Sequence, residues 1–333
     1  MSSAGQLVDC HGRVHTDLRV SVTDRCDFRC RYCMPAEGVH FRSHTEILRY
    51  EEIERFVRVA SRLGIHKIRL TGGEPLVRKD LPQLVRKLAS VPGIDDLALT
   101  TNGSLLGRYA AALKSSGLNR LNVSLDTLDR ERFRWITRRD ALPQVLEGIA
   151  AAGRAGFRQV KLNALAIRGF TEDEIVPLAL FAREHRLKLR FIEFMPCDGD
   201  RQWNAVRVLP AEAIVDTLSR ALGPLVPVES SRFGQSATEY RFLDGTGRIG
   251  IIRSVTEPFC GRCNRLRLTA DGRVRNCLFS TEQWDVRAAL RSADGEEQVS
   301  ELIRLAVGAK MRIRGSDQGQ LAHVGRAMHE IGG

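Results

Sequence analysis

Between residues 17 and 195, short β-rich runs alternate with helix-length segments, and that succession leaves few folds open. The runs are DLRVSVT (17–23), KIRLTG (67–72), LALTTNG (97–103), RLNVSLD (120–126), VKLNALAI (160–167) and LRFIEFM (189–195). Helical patterns between them include EEIERFVRVASRLG (51–64), LLGRYAAALKSSG (105–117), LPQVLEGIAAAGRAG (142–156) and EDEIVPLALFAREH (172–185). Three of these end in Gly64, Gly117 and Gly156, residues suited to a helix C-terminus. Strands joined by crossover helices form a parallel sheet, so the chain is predicted to be α/β, built on an incomplete (β/α)6 TIM-like barrel. After about residue 235 the pattern becomes TEYRFLD, GRIGIIRSV and RLRLTADGRV, short alternating runs with Gly turns. They predict a C-terminal antiparallel extension that closes or caps the barrel, followed by a helix over 296–310. The expected units are residues 1–235 and 236–333.

Side chains alternate across a strand, so each run can be read for what it sends to either face. Leu18, Val20 and Val22 share one face; Arg19, Ser21 and Thr23 share the other. The same split sets Ile68 and Leu70 against Arg69 and Thr71, and Leu97 and Leu99 against Thr100 and Asn102. It recurs with Val123 and Leu125 against Asn122, Ser124 and Asp126, and with Leu162 against Lys161 and Asn163. The apolar sets must face the helices, which sends the polar sets into the barrel. A filled barrel carries apolar layers there, and lone buried charges are too costly to leave unpaired. Two explanations remain open on this ground: internal pairing with Asp126 and Glu193 or one wet face, and an anion site. Barrel active sites lie at the C-terminal strand ends, where TGGEP, TTNG and SLD fall.

The formal charge of +11 suits an acidic partner such as a nucleotide, a nucleic acid or a membrane surface, but Arg is scattered along the whole chain, so charge alone is indecisive. The N-terminus MSSAGQLVDCHGR lacks the basic-then-apolar layout of a signal peptide, and no apolar run approaches the ~20 residues of a membrane span. A cytoplasmic protein is expected. In that reducing compartment the eight cysteines are predicted to hold metal or to pack, not to form disulfides.

Six of the eight form two incomplete sets. Cys26-x3-Cys30-x2-Cys33 lies in the loop after the first run, and Cys260-x2-Cys263-x13-Cys277 lies in the C-terminal part. A structural zinc site closes with four ligands, so zinc at the first set needs a distant partner such as His40 or His44. An iron–sulfur cluster can leave one iron without a protein ligand, free for substrate. Cys-x2-Cys by itself fits zinc and iron–sulfur equally, and two incomplete sets in one chain favour iron. Arg265 and Arg267 share one strand face beside the second set, and paired guanidinium groups suit phosphate oxygens.

These residues carry a resemblance. Cys26-x3-Cys30-x-Tyr32-Cys33 resembles the signature loop of the radical S-adenosylmethionine (SAM) superfamily. With Cys-x-Tyr-Cys-Met-Pro, Thr-Gly-Gly-Glu-Pro at 71–75, Thr-Thr-Asn-Gly at 100–103 and a terminal Gly332-Gly333, the chain from 17 to 280 is similar to the GTP 3′,8-cyclase family, molybdenum cofactor biosynthesis protein A. The resemblance implies a radical SAM partial barrel over 1–235 and a molybdenum cofactor synthesis domain over 236–333. It implies two [4Fe-4S] clusters, one on Cys26, Cys30 and Cys33, the other on Cys260, Cys263 and Cys277. It places S-adenosylmethionine against Tyr32, Gly73, Ser124 and Met195, and GTP against Arg19, Arg69, Thr100, Lys161, Arg265, Leu266 and Arg267. It assigns catalytic roles to Arg267, Gly332 and Gly333, the tail entering the active site. The implied chemistry is a 5′-deoxyadenosyl radical taking hydrogen from ribose C3′ of GTP, followed by attack on guanine C8. The expected partners are GTP, a cyclic pyranopterin monophosphate synthase that takes the product, and a second copy in a homodimer. Neither DNA, RNA nor a membrane is expected. Cys10 and Cys197 match no cluster ligand, Cys197 being expected to line the cavity without binding iron. Residues 312–325 align with nothing in the family.

Two other readings stay in view. A peptide-modifying radical SAM maturase shares the first loop, but such enzymes usually carry more cysteines for the auxiliary cluster than the three here. A zinc-dependent nucleic-acid-binding protein would place aromatic stacking positions among its basic residues, and only 6% of the chain is aromatic.

Overall fold

A computed structural model of the chain describes residues 5–197, 203–228, 234–312 and 326–332. After β1 (Asp17–Ser21), the cysteine loop leads to α1 (Tyr50–Arg62), and the unit then repeats. It continues through β2 (Lys67–Thr71), α2 (Leu81–Ala89), β3 (Asp96–Thr101), α3 (Leu106–Ser115) and β4 (Arg120–Ser124). The helices α4 (Arg130–Thr137) and α5 (Leu142–Arg154) precede β5 (Val160–Ala166), and α6 (Ile175–Glu184) precedes β6 (Lys188–Glu193). Then come α7 (Ala211–Leu222), β7 (Leu225–Val228), β8 (Thr238–Phe242), β9 (Arg248–Ile252), β10 (Arg265–Leu268), β11 (Arg273–Arg275) and β12 (Trp284–Asp285). Three helices finish the chain: α8 (Arg287–Arg291), α9 (Glu296–Gly308) and α10 (Met328–Ile331). No helix among the described residues is long and apolar enough to cross a membrane.

Among the described residues, twelve strands join one open sheet in the order β12-β11-β10-β1-β2-β3-β4-β5-β6-β9-β8-β7. The six predicted strands form its parallel centre, in chain order. Leu18, Val20, Ile68, Leu70, Leu97, Leu99, Leu121, Val123 and Leu162 are each at most 1% exposed and form the layer against the helices. Each such side chain contributes about 1.5–3 kcal/mol by leaving water.

The C-terminal part departs from the expectation in its pairing. Antiparallel strands are present, β7 with β8, β8 with β9, β10 with β11 and β11 with β12. However, β9 runs parallel to β6 and β10 runs parallel to β1. The extension therefore lengthens the sheet at both edges and does not close it. The physical reason is that β1 and β6 would otherwise present unpaired N–H and C=O groups, and a parallel partner needs a long crossover. The chain from 194 to 247 supplies one to β9, with α7 in it. Residues 253–264 then pass from one edge of the parallel centre to the other, carrying Cys260 and Cys263 across the mouth.

The TGGEP segment fixes the first cysteine loop against the sheet. Val22 N donates to Thr71 O at 2.9 Å, Gly73 N to Thr23 O at 2.8 Å and Glu74 N to Arg25 O at 2.8 Å. Gly72 has φ +152°, and a Cβ on Gly73 would lie 2.6 Å from the Arg25 carbonyl carbon and 2.8 Å from Asp24 O, all backbone that cannot give way. Gly73→Ala is therefore expected to cost about 2 kcal/mol. A fall of several degrees in the melting temperature of the metal-free protein checks this, with Gly153→Ala, exposed in α5 where a Cβ meets open space, as a control expected to hold or slightly raise it.

Candidate active site between two cysteine groups

A cavity of about 310 Å³ opens at the C-terminal ends of the parallel strands, with Cys33 on one wall and Cys260, Cys263 and Cys277 on the other. A larger groove of about 570 Å³ lies over α5 and α6, but it holds no thiol, carboxylate or strand-end residue beyond Val160. The chemistry is concentrated in the smaller cavity. Its lining includes Arg19, Tyr32, Arg69, Thr100, Ser124, Met195, Arg265 and Arg267 from the sequence-derived set, whereas Lys161, buried on the same face of β5 as Asn163, lies behind it. Cys26 and Cys30 are half-buried beside Cys33, close enough for their charges to interact. Gly73 supports the loop from below through its hydrogen bond to Thr23. Leu266 faces the helices in the core, so only its main chain faces the ligand side. Gly333 lies outside the described residues.

The first cysteine loop is held by side chains from three strand ends. Asp27 accepts from Asn102 Nδ2 at 2.8 Å and from Ser104 Oγ at 2.7 Å. Tyr32 Oη donates to Asp126 Oδ2 at 2.7 Å, whose other oxygen accepts from Leu165 N at 2.9 Å. Glu74 accepts from Thr101 Oγ1, Asn102 N and Leu76 N, between 2.6 and 2.9 Å. Burial lifts Glu74 to about 7 and Asp126 to about 6. Asn102 and Asp126 belong to the polar strand faces read from the sequence, while Asp27 and Glu74 were not singled out.

Burial drives all three thiols of this loop upward, Cys33 to about 12. They become thiolates only where a metal supplies positive charge. Among the described residues no three His, Cys, Asp or Glu side chains converge on a single ion. A cubane places each thiolate on a different iron, so splayed thiols without a nearby fourth ligand fit it where a lone zinc does not. In the second group Cys263 N donates to Cys260 O at 3.1 Å, and the Cys263 thiol is lowered although burial opposes it, because Lys310 and Arg265 stand beside it.

Neither carboxylate weighed for pairing reaches the inward cations, and Asp17, on the same face of β1 as Arg19, offsets only part of the charge of Arg19 and Arg69. Glu193 is fully buried and spent on Val255 N, Thr256 N and Thr256 Oγ1, and Asp126 on Tyr32 and Leu165. Arg69 donates to Thr100 Oγ1 at 3.4 Å and, with the Asn122 amide turned to satisfy both its neighbours, to Asn122 at 3.0 Å. Arg19 Nε is buried without a hydrogen-bond partner among the described residues. Burial and then mutual repulsion depress Arg19, while burial leads the fall of Arg69 and Arg267 to about 10 and of Lys161 to about 7. An unpartnered N–H and a cluster of destabilised cations fit a polyanion. Arg190, missed from the sequence, lines the same cavity from β6, 3.7 Å from Glu239. The alternation in LRFIEFM would have found it.

The C-terminal segment reaches this cavity. Arg326 pairs with Asp271 at 3.2 Å, Met328 N donates to Cys197 O at 3.2 Å, and Arg267 Nη1 donates to Gly332 O. Gly332 has φ +72° and sits against Ser21 and Thr71. Cys197 is buried beneath this segment and does not join the cavity wall.

Residues 20–182 match the Radical SAM superfamily and residues 187–314 match Molybdenum Cofactor Synthesis C. A GTP 3′,8-cyclase of Rhodopirellula baltica is 50% identical over 98% of this chain and 92% of its own. One of Streptomyces coelicolor is 45% identical over 98% of this chain and 96% of its own. The chain belongs to the GTP 3′,8-cyclase family. Solved structures share the fold: Streptococcus suis SuiB bound to S-adenosylmethionine has a TM-score of 0.60 at 13% identity, covering 90% of this chain and 69% of that one. Native anSMEcpe with bound AdoMet has a TM-score of 0.59 at 16% identity, covering 94% and 93%. As a family member the chain uses S-adenosylmethionine and [4Fe-4S] clusters, and the cysteine groups fit the latter by donor type and by number.

The lowered Lys161 carries a pH signature. A bound polyphosphate favours its charged form, so above pH about 7 binding must take up a proton and affinity falls as pH rises; below pH 7 the lysine is already charged and this contribution levels off. Calorimetry with inorganic tripolyphosphate in buffers of different ionisation enthalpy at pH 8 is expected to show proton uptake, lost in Lys161→Met.

Proposed function

We propose that the protein converts GTP into (8S)-3′,8-cyclo-7,8-dihydroguanosine 5′-triphosphate, the first step of molybdenum cofactor biosynthesis. The observation that carries it is one cavity lined by Cys33 of the first trio and by Cys260, Cys263 and Cys277 of the second, with Arg19, Arg69, Arg265 and Arg267 in the same lining. We assign residues 1–235 to the SAM-binding unit and 236–333 to the unit bearing the second cysteine group.

Cys26, Cys30 and Cys33 would hold one cluster and Cys260, Cys263 and Cys277 the other. When bound, the first cluster supplies the electron that cleaves the sulfonium of S-adenosylmethionine to a 5′-deoxyadenosyl radical. Tyr32, fixed by Asp126, together with Ser124, Met195 and the Gly73 loop, orients that cofactor. Guanidinium groups of Arg19, Arg69, Arg265 and Arg267, with the Lys161 ammonium, balance the roughly four negative charges of a triphosphate. Thr100 and the main chain at Leu266 complete this wall. Arg267 has a double part: it meets the nucleotide side of the cavity and holds Gly332 by its carbonyl beside that side. The product passes to a cyclic pyranopterin monophosphate synthase, and the protein acts as a cytoplasmic homodimer.

Anaerobic reconstitution is expected to give a brown protein with roughly eight irons per chain. Incubated with GTP, S-adenosylmethionine and a reductant, it should yield 5′-deoxyadenosine and a cyclised nucleotide in equal amounts. Four irons, or cofactor cleavage with GTP unchanged, would overturn the reading. Arg267→Ala removes a charge-assisted contact of about 1.5–3 kcal/mol, so GTP affinity is expected to fall about 10- to 100-fold while uncoupled cofactor cleavage persists. Equilibrium binding and 5′-deoxyadenosine release measure the two halves separately.

A further inference from the structure

Behind the second cysteine group lies a buried basic cluster that the proposed reaction does not use. Lys310, just past α9, is 4% exposed and donates from Nζ to Arg265 O at 2.6 Å. Its ammonium lies beside Cys263 and Cys277, close enough for their charges to interact. Arg13, also 4% exposed, donates to Cys260 O at 2.7 Å, Met311 O at 2.8 Å and Arg312 O at 3.0 Å, and so ties the cysteine loop to the segment that bears Lys310.

The charges of this cluster do not cancel. Asp9 pairs with Arg13 at 2.6 Å and with His15 at 3.0 Å. Burial and the neighbouring Lys310 hold His15 down at about 4, so at neutral pH it is uncharged, and Asp9 and Arg13 offset one another. Lys310 is left over: no described carboxylate lies within ion-pair distance of it. A buried ammonium without a counter-charge costs several kcal/mol. The anionic groups it does face are the thiols of Cys263 and Cys277.

We propose that Lys310 is a positioning residue for the second iron–sulfur cluster, its ammonium serving as the buried counter-charge and N–H donor to the Cys263 thiolate, with Arg13 holding the loop in register. Three thiolates outweigh the charge of an oxidised cubane core, so the cluster and Lys310 neutralise one another. Hydrogen bonds and positive charge at a ligand sulfur favour the reduced state, and Lys310 raises the potential of this cluster alone. The inference rests on Cys260, Cys263 and Cys277 being cluster ligands.

The test uses the full chain carrying Cys26→Ser, Cys30→Ser and Cys33→Ser, which leaves only the second site. Retention of roughly four irons upholds the ligand assignment, and a protein without iron overturns both that assignment and this proposal. In that background, a redox titration followed by electron paramagnetic resonance is expected to show a more negative midpoint potential in Lys310→Met and a return towards the starting value in Lys310→Arg. Loss of iron in Lys310→Met but not in Lys310→Arg supports the same conclusion. An unchanged potential in Lys310→Met, equal shifts in the two variants, or iron loss in both would overturn it, because packing alone would then account for the residue.

Discussion

Positive charge in excess of its internal partners is the constraint on which the site depends. Strand alternation drives Arg19, Arg69 and Lys161 to the face away from the helices, where the usual apolar filling of a barrel is absent. Of the carboxylates there, Glu193 is held by the Val255–Thr256 turn and Asp126 by Tyr32, which leaves Asp17 to offset part of the charge of Arg19 and Arg69. Repulsion among the guanidinium groups adds to the desolvation each already bears, as the depressed Arg19, Arg69 and Arg267 record. Such an interior is stable only because it is open to water, and it gains most from a polyanion that replaces that water.

The two cysteine-bearing segments are placed by different means. The first loop is part of the barrel: short hydrogen bonds to TGGEP and to the ends of β3 and β4 leave it little freedom. The second is a bridge. Residues 253–264 span the mouth between β9 and β10, and their position depends on long-range anchors, Arg13 at Cys260 O and Asn264 Nδ2 at Thr16 Oγ1. Two sites that must face one another are thus set by a rigid sheet on one side and by a clamped crossing on the other.

The central sheet was legible because burial on one face leaves a period-two record in every strand, from Leu18 and Val20 to Leu162. Part of the cavity lining, Arg19, Arg69, Thr100, Asn122, Ser124, Asp126 and Asn163, lies on the faces of the same record, whereas Lys161 of those faces does not line the cavity and Arg190 was missed because the sixth strand was not split in that way. The parallel pairing of β9 and β10 was not legible, since a run such as GRIGIIRSV alternates identically beside a parallel or an antiparallel neighbour. Nor were Arg13 and Lys310, whose contacts join residues about three hundred positions apart. Two incomplete cysteine sets pointed to open clusters, yet the approach of Gly332 to Arg267 came from the resemblance and not from any local pattern.

The pairing of β1 with β10 also orders events at the ribosome. Thr16 and Asn264, hydrogen-bonded beside that pair, are 248 residues apart. The first thiol loop therefore leaves the exit tunnel long before the strand that flanks it, and the second trio is complete only at Cys277. Until then the nascent chain exposes a parallel edge to any other strand it meets. Both thiol groups are therefore complete only once β10 and the residues after it are made, and a chain cut short before β10 keeps the edge of β1 open to aggregation.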